Sequence, residues 1–274
     1  RINVGNISES VSGSSSTKDT ETMMQLVNLR FTKPRFDENS YNVLMQQVDA
    51  FLIRKSEQIQ SKMQDSLTTI LYGKNHPTKR LFDKNYMSEM SFDKMKGIYN
   101  SRFGNAGDFT FFIVGDVTKE TIKPLLERYI ASIPTTDEKE SWKDNSVDWI
   151  TNKIDKDVYL EMKDPKTNVR VVVKNDMKYS LKNSILMRAI GDVLQLRYIE
   201  SLREEEGGTY GASARGSISR RPSQEATISV SFDCNPELAE KLIDIVHKEI
   251  EAIGNGDIQQ VDLDKTLTNY LKER

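Results

Sequence analysis

An α+β class is what the chain predicts, and three observations carry it. Runs of β-branched residues, with Val169, Val171, Val172 and Val173 the densest, stand among stretches whose apolar residues recur at helical spacing. Two alternating runs, Thr209–Ser219 and Glu225–Phe232, turn at Arg220-Arg221-Pro222-Ser223 and read as a hairpin, which makes the pairing there antiparallel. Serine, threonine, aspartate or asparagine stands in front of most of the helical runs, where an N-cap belongs. The arrangement expected is two related domains, each a largely antiparallel sheet with helices packed on one face.

Taken in order, residues 2–12 alternate as a strand does, with Ile2, Val4 and Val11 among polar residues. A serine-rich turn follows from Gly13 to Thr17. Ser16 with Asp19 three positions on resembles a capping box for a helix Asp19–Phe31, which Thr32-Lys33-Pro34 ends. Asp37 caps a long helix to about Leu71, striped by Val43, Leu44, Val48, Phe51, Leu52, Ile59, Met63 and Leu67. After a loop from Gly73 to Pro77, Ser91 starts a helix to Phe103, Phe109–Val114 reads as an apolar strand, and Thr118 caps a helix to Ile130. Beyond the polar linker, strands are expected near 157–163 and 168–174, and Ser180 caps a helix through Leu202. The hairpin comes next. Asn235 and Pro236 then open a helix to Ile253, Gly254 and Gly256 close it, and a last helix runs from about Val261.

The composition bounds what such a fold can do. With 274 residues, two domains of ordinary size fit. Lysine and arginine total 39 against 41 aspartates and glutamates, a net charge of −2, so no global field points to nucleic acid or an anionic membrane. No apolar run approaches the roughly 20 residues of a membrane span. A charged fraction of 29% reads as soluble and globular. The single Cys234 excludes an internal disulfide and any cysteine zinc site, and it fixes no compartment. The chain starts Arg1-Ile2-Asn3, without initiator methionine or signal peptide, and stops inside a helical pattern at Arg274. It reads as a piece of a longer protein.

An internal repeat organises the order. Ser229-Val230-Ser231 leads through Asn235-Pro236 to two helices. Ser10-Val11-Ser12 leads through a serine turn to two more, at a spacing of 219 residues (Ser10 to Ser229). Residues 1–135 then form the back part of one domain whose front is truncated. Residues 136–149 are the linker, and residues 150–274 form the front part of a second, homologous domain whose back is truncated. Sheets that have lost partner strands expose their edges, so self-association of the chain is expected.

Chemistry concentrates between Ser201 and Gly216. Arg203 and Tyr210 stand seven positions apart across Gly207-Gly208, a fork of charged donors and one neutral phenolic donor. Arg203 can cap the negative end of its helix while Tyr210 packs across strands. Alternatively the two converge on a peptide carbonyl and the oxyanion it becomes under attack. Spacing alone favours the first reading.

Several stretches in the same order resemble the insulinase/pitrilysin family of zinc metallopeptidases: Gly13-Ser14-Ser15-Ser16-Thr17-Lys18-Asp19, Phe31-Thr32-Lys33-Pro34-Arg35-Phe36-Asp37, Tyr99–Phe103 leading to Asp108–Val117, and Leu202-Arg203-Glu204-Glu205 with Tyr210. The resemblance implies repeated α+β domains paired into two halves around a substrate chamber. It implies that this chain belongs to the C-terminal half, and that zinc is held by an H-x-x-E-H helix in the N-terminal half. It also implies catalytic roles for Arg203, holding the substrate's backbone carbonyl, and Tyr210, donating to the oxyanion. The three glutamates and two glycines between them depart from many relatives.

The chain's own histidines fit no zinc site. His76 lies in a loop, Asn75-His76-Pro77, without a partner histidine, and His247 lies on a helix among Glu240, Asp244 and Glu251, a solvated stripe. No cofactor is therefore expected here. The expected partners are a peptide substrate and the N-terminal zinc-binding half, or a partner subunit carrying it. Nucleic acid is not expected, since the Arg220-Arg221-Pro222 tip has no interleaved aromatics. Glu204-Glu205-Glu206 reads as a solvated turn, and Thr227–Phe232 as a strand whose edge an extended peptide could join. A non-catalytic partner or scaffold of the same family is the alternative, and an α+β protein-interaction module a further one. An H-x-x-E-H upstream of Arg1 separates the first reading from these.

Overall fold

The computed structural model describes residues 1–138, 140–144, 147–148 and 153–272, with only the backbone for Glu204, Glu205 and Tyr210. The chain divides into two compact units, Arg1–Tyr159 and Leu160–Arg274. Parts of the predicted linker lie outside the described residues.

The first unit opens on a short hairpin, β1 (Ile2–Val4) against β2 (Glu9–Val11), antiparallel with Ile2 opposite Val11. A tight turn at Thr17–Asp19 leads into α1 (Thr20–Thr32). Ser16 does not cap the backbone; its hydroxyl donates to the Asp19 carboxylate at 2.5 Å. Asp37 accepts from the Ser40 N–H at 2.7 Å and starts α2 (Glu38–Glu57). The long helix expected to reach Leu71 is interrupted at Gln58, which turns extended, and α3 (Ile59–Tyr72) follows until Gly73 stops it with φ of 72°. Asp83 caps α4 (Lys84–Ser88), Ser91 caps α5 (Phe92–Phe103) and Thr118 caps α6 (Lys119–Leu125), each by a side-chain oxygen that accepts from the backbone N–H three residues on.

The core of this unit is aromatic. Phe31 lies edge-on to Phe103 and Phe109, with centroids 6.1 and 5.0 Å away, and Phe103 stacks on Tyr99 at 4.8 Å. The expected strand Phe109–Val114 is a correction: among the described residues the segment has no strand partner. A dense apolar run marks a candidate strand, whereas a strand exists only against a neighbour's backbone. Phe112 is 87% exposed and Val114 98% exposed. The expected strand at 157–163 likewise has no strand partner among the described residues.

The second unit is a three-stranded antiparallel sheet in the order β3-β5-β4, built from β3 (Thr167–Asp176), β4 (Thr209–Ile218) and β5 (Glu225–Cys234). Val169 faces Phe232 and Val171 faces Val230 in the β3–β5 register. Ser180 accepts from the Asn183 N–H at 3.0 Å and starts α7 (Leu181–Tyr198). Pro236–Leu238 makes one tight turn into α8 (Ala239–Gly254), and α9 (Gln260–Lys272) closes the described chain. The core joins Val169, Leu194, Tyr198, Leu202, Val230, Phe232, Leu242 and Val246. Tyr198 reconciles its polar end with that burial by donating to the Val246 carbonyl at 3.0 Å.

Two consequences of this topology correct or extend the sequence reading. Thr227–Phe232 lies in the central strand, paired on both sides, so it offers no edge. The repeat spacing of 219 residues carries the tight turn Thr17–Asp19 onto Pro236–Leu238, and the first residue of α1, Thr20, onto the first of α8, Ala239.

Candidate functional site

Arg203 and Tyr210 stand on either side of one built turn. After Tyr198, α7 does not end but widens by one residue per turn over Ile199–Glu205, and exposed Arg203 sits in this last, widened turn. Gly207 then takes φ of 58°, the left-handed conformation that closes a helix at no steric cost. The Gly208 N–H reaches back to the Leu202 carbonyl at 3.1 Å and satisfies one of the helix's free acceptors. The glycine pair is therefore a helix stop with a defined geometry.

The strand resumes with a bulge. Thr209 pairs with Cys234 and Ala212 with Phe232, so Tyr210 and Gly211 together face Asp233. The Thr209 hydroxyl fixes the bulge, accepting from the Gly211 N–H at 3.1 Å and donating to the Gly211 carbonyl at 3.0 Å. Tyr210 is thus the second residue of β4, inside the bulge; its side chain lies outside the described residues. Bulges re-aim side chains next to functional sites.

The turn is backed by α8. Lys241 pairs with Glu206 at 2.5 Å, which replaces the expectation of a freely solvated glutamate there. Gly208 lies against fully buried Leu242, and a Cβ on Gly208 would come within 2.9 Å of a Leu242 methyl carbon. Upstream, Arg197 ties the end of α7 to its surroundings. It donates to Glu249 on α8 at 3.1 Å, to Asp262 on α9 at 3.4 Å and to the Asp257 carbonyl at 2.7 Å. Burial opposes the charged form of this guanidinium, and the two carboxylates more than offset it, so its pKa stands above the usual arginine value.

α7 also runs in backbone contact with β4. A Cβ on Gly191 would run into the Gly216 nitrogen, and one on Gly216 into the Met187 carbonyl. This approach lets the Gln195 amide donate to the Ala212 carbonyl at 2.7 Å and accept from the Ala214 N–H at 2.8 Å. Those backbone groups point away from β5, on the outer side of β4.

Neither histidine fits a metal. His76 is 5% exposed, with Nδ1 accepting from the Thr78 and Lys79 N–H groups at 3.2 and 3.1 Å. Nε2 must then carry the proton, and it donates to the Val147 carbonyl at 2.8 Å. His247 is exposed on α8. Among the described residues, no group of three or more His, Cys, Asp or Glu could hold a metal ion, and no helix is long and apolar enough to cross a membrane.

Arg197, Gln195 and the Lys241–Glu206 pair were not singled out in the sequence. Their partners lie 17 to 65 residues away, beyond any local pattern. The close approach of α7 to β4 had a weak signal: a lone glycine inside each element, at Gly191 and Gly216.

Comparison with known proteins places these observations. The family model described as the peptidase M16 inactive domain matches residues 89–270. A probable zinc protease PqqL of Haemophilus influenzae is 20% identical over 257 residues, covering 93% of this chain. A PQQL-like zinc protease of Arabidopsis thaliana is 25% identical over 270 residues, covering 91%. The chain spans 27% of the length of each of these relatives. Among solved structures, the periplasmic protease PqqL from Escherichia coli aligns with a TM-score of 0.73 at 19% identity, over 94% of this chain and 28% of that one. A peptidase M16 inactive domain from Pseudomonas fluorescens aligns with a TM-score of 0.69 at 16% identity, over 94% of this chain and 62% of that one.

Proposed function

Because the chain belongs to the peptidase M16 inactive-domain family, the C-terminal and non-zinc-binding part of insulinase-type proteases, we propose that it supplies the substrate-binding face of a zinc endopeptidase. Arg203 holds a backbone carbonyl of the bound peptide through its guanidinium fork. Tyr210 donates its phenolic proton in a hydrogen bond to the oxygen that gains charge as the scissile carbonyl is attacked. The zinc and the attacking group would come from the N-terminal half, a reading supported by the match of this chain to the family's inactive domain.

One observation carries this reading: Arg203 and Tyr210 flank a turn whose helix stop, bulge and backing contacts are all specified. Preorganised donors of this kind stabilise developing charge because they need not reorient during the reaction. The domain organisation follows the same proposal, with residues 1–135 and 150–274 as truncated copies of one α+β domain, and the unpaired segment 109–114 open to association.

In the full-length protein, Tyr210→Phe should lower turnover on the order of 10²–10³ while changing peptide affinity little. Turnover equal to the parent's would remove Tyr210 from the mechanism.

A further inference from the structure

The geometry points to Lys241 and Leu242, adjacent residues of α8, as positioning residues that clamp the turn between Arg203 and Tyr210. The inference rests on the role proposed for that pair and adds the element that holds it. Two contacts of different kinds meet the turn at two points. Lys241 holds Glu206 by an ion pair at 2.5 Å. Leu242, with no exposed surface, lies beneath Gly208 so closely that both its methyl carbons would be within 3.0 Å of an added Cβ.

Between these points Gly207 is held left-handed and the Gly208 N–H is bonded to Leu202, whose side chain belongs to the same buried cluster as Leu242. Thr209 then sets the bulge at Tyr210 and Gly211. The path from the helix end to the strand is therefore held both by its own turn contacts and against α8, where its two glycines alone would leave it loose. A displacement of about 1 Å at a catalytic donor can cost roughly 10²-fold in rate, so a clamp here bears on turnover more than on stability. The Lys241–Glu206 pair suits a test, because a surface ion pair contributes about 0–1 kcal/mol and its loss leaves the fold intact.

The experiment uses the full-length protein and the substitutions Lys241→Met and Gly208→Ala, each with and without Tyr210→Phe. Hydrogen exchange at the Gly208 and Gly211 amides should quicken about tenfold in Lys241→Met with the melting temperature nearly unchanged. Gly208→Ala should lower kcat about tenfold with KM held within about twofold, and adding Leu242→Ala, which makes room for the new methyl, should restore part of the loss. Neither substitution should lower turnover further once Tyr210 is Phe. Unchanged exchange in Lys241→Met overturns the clamp. So do losses that multiply with Tyr210→Phe. Should Tyr210→Phe alone leave turnover intact, the catalytic role of the pair falls instead, and the exchange rates still decide the clamp by themselves. If Gly208→Ala does not fold, Lys241→Met carries both readouts.

Discussion

His76 has both ring nitrogens committed to backbone groups, and this explains why one of the chain's two histidines sits buried in a loop. The sequence already marked it as structural, from the lack of a partner histidine. Its tie to Val147 was not legible, because 71 residues separate donor and acceptor. His76→Leu should destabilise the first unit by about 1–3 kcal/mol, since it strands two N–H groups and a carbonyl; urea denaturation checks it. Cys234 makes a second test. Burial, with Asp233 beside it, pushes this thiol above its ordinary value. The raised value means the thiol's contribution to stability is present below the unfolded thiol pKa and fades as pH rises through the folded one. In the native chain at pH 8, Cys234 should react with a disulfide reagent about 100-fold more slowly than in urea. Equal rates would put the sulfur at the surface. Arg203 and Tyr210 could be named from the sequence, but the bulge at Tyr210 and Gly211 could not, because a bulge is set by the register against the partner strand at Phe232–Cys234, which local sequence does not fix.

At the level of elements, caps were the most readable feature. Asp37, Ser91, Thr118 and Ser180 each accept the backbone hydrogen bond their position implied. Local chemistry decides a cap, so local sequence reveals it. Strands are different. Val169–Val173 found β5, whereas the dense apolar run Phe109–Val114 found no strand neighbour among the described residues. The break between α2 and α3 at Gln58 had neither glycine nor proline to announce it. The contact of α7 with β4 gives the sharpest test at this scale. Gly191→Ala should cost about 3 kcal/mol or more, because the obstacle is the backbone of Gly216 and cannot rotate away. A melting temperature within a degree of the parent's would mean that helix and strand do not approach so closely.

For the molecule as a whole, the exposed apolar segment 109–114 is where association with another chain is expected. Phe112 and Val114 are almost fully open to water, and backbone with no strand partner among the described residues can offer its hydrogen-bonding groups to another chain. Sedimentation of the 274-residue chain should depend on concentration, and Phe112→Lys with Val114→Lys should shift it toward monomer. A monomer at all concentrations would show that the segment is harmless. The second unit guards itself better. On the outer side of β4, the Gln195 carboxamide takes the place of a neighbour's peptide bond, matching one carbonyl and one N–H as an adjoining strand would. An incoming polypeptide must dislodge this surrogate before it can lie alongside. Growth of that sheet is thereby steered to its far margin, along β3, and a bound peptide that lengthens the sheet should be sought there.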